Sequence, residues 1–155
     1  MNKLLKYTLG LVLLSSLSSC ITDEPLINPT LGLVNDVRQQ GCTCAGEVMP
    51  PVDPITWNDS LEKAAENHSL DMSTNNFLTH SSTDGANPGD RIRATGYKWD
   101  SYAENIAEGQ ATQDEVMDYW LYNEKDCKNI MKANVTEMGA AKTGEHWVQV
   151  FAKPK

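Results

Sequence analysis

The sequence has no uninterrupted apolar stretch of the roughly 20 residues that a membrane-spanning helix requires, which excludes such a helix as its organising element. Positive charge is also scarce: 13 basic side chains stand against 21 acidic ones, a formal net charge of -8. Binding to nucleic acid or to an anionic bilayer by electrostatics needs cations that displace counterions from phosphates, so partners of that kind are excluded. Cysteine is limited to four residues, none spaced as Cys-x-x-Cys, and a zinc ribbon therefore lacks its ligand pairs. No Gly-x-Ser-x-Gly turn is present to raise a serine nucleophile, and no internal repeat or low-complexity tract appears. What remains is 40% hydrophobic and 22% charged, with Pro and Gly scattered, which is the composition of a chain that buries a core. A length of 155 residues suits one domain.

The N-terminal segment carries Lys3 and Lys6, an apolar run from Leu9 to Leu14, then small residues up to Cys20. This is the three-part pattern of a secretory leader, covering residues 1–19. Leu17-Ser18-Ser19-Cys20 resembles the bacterial lipobox, in which cleavage precedes a cysteine that is then acylated, and several acyl chains give a stable membrane anchor. The expectation is a lipidated Cys20 and a short tether over 20–30, ahead of a domain over 31–155. Ile21 lacks the acidic residue that retains lipoproteins in an inner membrane, so the expected place is the cell envelope, at the outer membrane where a cell has two. Losing Lys3 and Lys6 with the leader leaves eleven basic against twenty-one acidic residues, a charge of -10.

Three cysteines then remain in an oxidising compartment, and an odd number predicts one bridge and one free thiol. Cys42 and Cys44 are too close for unstrained pairing with each other, so the bridge is expected between Cys127 and either Cys44 or Cys42.

Along the chain, Asn28-Pro29 predicts a capped helix through Leu31, Leu33, Val34 and Val37 that stops at Gly41. Residues 42–54, with three prolines, are read as a loop. Asn58 or Asp59 caps a second helix whose face carries Leu61, Ala64, Ala65, His68 and Met72, and His68 on that apolar stripe is read as a buried core residue. Pro88 to Gly96 is a short third helix, and Trp99 falls in the loop after it as a candidate exposed aromatic. Thr112-Gln113-Asp114-Glu115 is a capping box that starts a fourth helix. Met138 to Lys142 and His146 to Lys153 form a hairpin with Trp147, Gln149 and Phe151 on one face and His146, Val148 and Val150 on the other. Tyr102 to Ala107 is a further short strand candidate. Helices covering a small antiparallel sheet make an α+β domain.

Several segments then occur in a recognisable order. They are Leu33-Val34-Asn35-Asp36-Val37-Arg38, Thr56-Trp57-Asn58, Asn76-Phe77-Leu78-Thr79-His80, Ala103-Glu104-Asn105-Ile106-Ala107, Lys128-Asn129-Ile130-Met131 and His146-Trp147-Val148-Gln149-Val150-Phe151, with Arg91, Gly96-Tyr97 and Trp120 between. Together they resemble the bacterial SCP-like members of the CAP superfamily. That resemblance implies a three-layer α-β-α sandwich with a surface cleft in which two histidines and one or two glutamates can bind a divalent cation. By position, His80 matches the first histidine and Glu104 the glutamate, whereas Asp126 stands where the second histidine is expected and Asn123 where a further acidic residue can occur. A carboxylate in place of imidazole shifts the expected ion from zinc toward calcium or magnesium. The expected metal set is thus His80, Glu104 and Asp126. The expected function is that of a lipid-anchored binding module presenting its cleft to a lipid, glycan, peptide or envelope protein. The alternative is an envelope hydrolase with His80 as general base and Glu104 as its partner.

Overall fold

The computed structural model describes residues 28–155; the leader, Cys20 and most of the tether lie outside the described residues. Asn28 accepts a hydrogen bond from Thr30 N and caps α1 (Pro29–Gln40), with proline at its first position as the sequence predicts. Asn58 caps α2 (Asp59–Asn75), and Asn76 closes it in the left-handed conformation that asparagine tolerates. Reciprocal capping boxes start α3 (Pro88–Ala94) at Asn87 and Asp90, and α4 (Gln113–Tyr122) at Thr112 and Glu115. No described helix is long and apolar enough to cross a membrane.

Four strands form the main sheet: β3 (Thr56–Trp57), β4 (Trp99–Glu108), β5 (Glu137–Thr143) and β6 (His146–Pro154), in the order β3-β5-β6-β4. The β5–β6 hairpin and the β4–β6 pair are antiparallel, and β3 adds itself to β5 in parallel. Period-two alternation along β6 sends Trp147 and Phe151 to one face and Val148, Val150 and Ala152 to the other, as expected. On the first face they pack with Val34, Val116, Trp120 and Ile130 from the helices behind; on the second they meet Leu61, Ala64, Ala65 and Met72 of α2 and Ile92 of α3. Three layers result, helices on both sides of a sheet, which is the α-β-α sandwich.

Two expectations are corrected, and one element is added. Residues 42–49 are not a loop but a hairpin, β1 (Cys42–Cys44) and β2 (Glu47–Met49), because all three prolines lie beyond it and Ala45-Gly46 both take positive φ, as a tight hairpin turn requires. Trp99 is not in a loop; it opens β4, which extends well beyond the expected Tyr102 to Ala107, and its Nε1–H donates to the Gly89 carbonyl. A fifth helix, α5 (Glu124–Ile130), follows α4 with only Asn123 between them; Asn123 is both the C-cap of α4 and the N-cap of α5.

Candidate functional site

Glu104 sits in the middle of β4, on the face of the sheet where the loop before α3 folds back, and it is 5% exposed. A carboxylate so far from water needs donors for its oxygens. His80 Nδ1 lies 2.9 Å from Oε1, and Arg91 of α3 donates from Nη2 to Oε2 at 2.6 Å. The other arm of the Arg91 guanidinium, Nη1, holds the His80 carbonyl at 3.0 Å, the Ser82 hydroxyl at 3.0 Å and the Ala86 carbonyl at 3.1 Å. One arginine thus pins the His80 loop to Glu104. His68 braces the same loop from α2: its Nε2–H donates to Thr79 O at 2.8 Å, it is wholly buried, and burial lowers its pKa, so it serves the core as expected.

With Nδ1–H directed at Glu104, the lone pair of His80 Nε2 points outward, and Lys125 Nζ lies 3.4 Å from it. Asp126 follows in the first turn of α5, 8% exposed. Burial pushes its carboxyl up to about 6, opposed by Lys125 and, when its ring is protonated, by His80. An amide network fixes α5 against the sheet: Asn129 Nδ2 donates to Glu104 O and Asn105 Oδ1, and Asn105 Nδ2 donates to Asp126 O and Gln149 Oε1. Beside His80, Asn123, Glu124, Lys125, Lys128 and Asn129 line a shallow depression of about 500 Å³.

The three residues expected to hold a metal therefore share one corner of the molecule. His80 and Glu104 bond directly, and the Asp126 carboxylate bonds to neither. As arranged, they do not fit a divalent cation. The carboxylate oxygen that would ligate it carries a guanidinium, and the free imidazole nitrogen faces an ammonium. Among the described residues, the one group of three His, Cys, Asp or Glu side chains with ligand atoms all within 4.8 Å is Cys42, Cys44 and Cys127. Of these, Cys44 and Cys127 are joined in a disulfide, which settles the open pairing in favour of Cys44 and leaves Cys42 without a partner among the described residues. Two hydroxyls near His80 are engaged elsewhere: Ser82 with Arg91 and His68, Thr83 with Asp71. His146 lies four residues along β6 from the partner of Glu104 and faces Glu108, so it does not stand in for the missing second histidine.

Two side chains of this corner have contacts that the sequence does not show. Arg91 lies 13 residues from Glu104, and although its position belongs to the family resemblance, nothing in the sequence ties it to that carboxylate. Lys125 lies 45 residues from His80 and looks like any exposed lysine.

Residues 31–151 match the model of the cysteine-rich secretory protein family, CAP. The chain belongs to the CAP family. Among relatives, the uncharacterized protein YkwD of Bacillus subtilis is 34% identical over 100 residues, which are 63% of this chain; the chain spans only 39% of that relative's length. Among solved structures, an extracellular protein of Bacillus anthracis containing an SCP domain superposes with a TM-score of 0.72 at 23% identity, over 81% of this chain and 39% of that one. An outer surface protein of Borrelia burgdorferi superposes with a TM-score of 0.68 at 20% identity, over 81% of this chain and 90% of that one. At these identities the two structures show a shared CAP fold, and by their names those two proteins lie outside the cell or at its surface.

Proposed function

We propose that this CAP domain is an extracytoplasmic binding module, tethered by lipid at Cys20, that presents the depression beside His80 to a hydrogen-bonding ligand such as a glycan or peptide. The observation that carries this reading is the saturation of Glu104: both of its oxygens are held by Arg91 and His80, and Lys125 covers the remaining imidazole nitrogen. A general base needs a free lone pair, and that of His80 is met by Lys125 Nζ in this arrangement, which counts against the hydrolase. A divalent cation enters only by displacing Lys125 and loosening Arg91, so zinc, calcium and magnesium are competitors of these side chains rather than residents. The lining of asparagine, lysine and glutamate side chains offers donors and acceptors to a glycan or peptide.

The envelope location rests on the leader pattern, the lipobox-like Leu17-Ser18-Ser19-Cys20 and the surface or extracellular standing of the two structural neighbours. Titrating isotope-labelled protein with envelope glycans and peptides, read by NMR, tests the binding role. Shifts confined to His80, Lys125 and Asn129, and lost in Lys125→Glu, are expected. Cleavage of a peptide library that disappears in His80→Ala would replace this reading with the hydrolase.

A further inference from the structure

The sulfurs where the β1–β2 hairpin meets α5 form a cluster that the His80 site does not use. Alternation along β1 puts Cys42 and Cys44 on one face of the hairpin, with Thr43 turned to solvent between them. That face rests on Cys127 of α5. Cys44 bonds to Cys127, while Cys42 Sγ lies 3.6 Å from Cys127 Sγ and 3.8 Å from Cys44 Sγ, in contact with both ends of the bond. The bonded sulfurs are shielded, since Cys44 is 1% exposed and Cys127 wholly buried, whereas Cys42 is only partly covered. An exposed ion pair of 2.7 Å between Glu47 and Lys128 also links the hairpin to α5.

We propose that Cys42, Cys44 and Cys127 form a thiol–disulfide exchange site, in which Cys42 is the accessible thiol, Cys127 the shared sulfur, and external thiols and disulfides are the substrates. In the internal step, Cys42 loses its proton to water and turns about its Cα–Cβ bond into line with the disulfide. Its thiolate attacks Cys127 Sγ; the Cys42–Cys127 bond forms as the Cys44–Cys127 bond breaks, and Cys44 leaves as a thiolate that takes up a proton. Nothing is oxidised or reduced overall. Attack on Cys44 instead would close a strained bridge between residues two apart, so Cys127 is the productive sulfur. The exchanged bond has one end at the accessible position 42. An external thiol attacks Cys42 Sγ there, forming a mixed disulfide and releasing Cys127 as a thiol. A second external thiol then attacks the first one's sulfur in that mixed disulfide and frees Cys42, so two external thiols leave joined as their disulfide and their two electrons have reduced the protein's bond. The reverse sequence loads the site from an external disulfide.

The test uses the full chain, folded and oxidised, with reduced glutathione as the probe. Alkylation at timed intervals and mass spectrometry follow loss of the bond in wild type and in Cys42→Ser, with a thermal melt to establish that both are folded. Reduction on the order of tenfold slower in Cys42→Ser is expected, because the shielded bond then has no accessible form. Equal rates would overturn the proposal. In Cys44→Ser, fragmentation of the acid-quenched peptides should find Cys42 bonded to Cys127; two free thiols in that folded variant would also overturn it.

Discussion

A carboxylate withdrawn from water must be held by donors or lose its charge, and at Glu104 the donors are a guanidinium and an imidazole on a loop that the same guanidinium keeps in place. Glu104→Gln leaves Arg91 buried without its counter-ion. Urea denaturation should show a loss on the order of 3 kcal/mol, the usual cost of breaking one side of a buried pair. Asp126 behaves in the opposite sense. Its carboxyl is raised above the ordinary aspartate value to about 6, so the folded protein holds the proton more tightly than the unfolded one, and stability from this group falls as pH rises from about 4 through 6. Asp126→Asn removes that penalty. Melting curves should show it stabilised at pH 7.5 by on the order of 1 kcal/mol, allowing for the favourable first turn of α5, and equal to wild type near pH 4. His80 and Glu104 were legible because each sits inside a recognisable motif. Arg91 also falls at a position of the family resemblance, but its bond to Glu104 was not legible from it; Lys125 was not legible at all, since its partner lies far along the chain and nothing local distinguishes it from a surface charge.

Elements were readable where periodicity and caps agree. The apolar stripe of α2, the capping box of α4 and the alternation of β6 each predict both the element and its buried face. The β1–β2 hairpin was hidden because its strands are three residues each and the prolines that follow break any regular pattern, while α5 has seven residues and too few apolar ones to show a period. Glycine at position 139 marks another relation that only the fold explains. A Cβ there would lie 2.0 Å from Glu62 N and 2.4 Å from Leu61 C, so β5 meets the backbone of α2 directly. Gly139→Ala must push α2 off the sheet, and equilibrium unfolding should register a loss of about 3 kcal/mol or more.

Across the whole molecule, β6 is the axis: it is paired on both sides and buried on both faces, with α2 and α3 over one and α1, α4 and α5 over the other. The Cys44–Cys127 bond ties the outlying hairpin to this body across 83 residues. Cys127→Ser removes every bridge the hairpin can make to α5, and denaturation should record a loss on the order of 4 kcal/mol in the chain-entropy account of such loops. The three-layer arrangement brings β4, the loop before α3 and α5 together, and with them Glu104, His80 and Lys125. Whether that corner is occupied by the protein's own positive charges or kept for a metal is decided most directly by calorimetry of chelated protein with zinc and with calcium at pH 7.5, on wild type and on His80→Ala. The expected result is no saturable heat that depends on His80. One-to-one binding in wild type that vanishes in His80→Ala would contradict it and return the cleft to a metal.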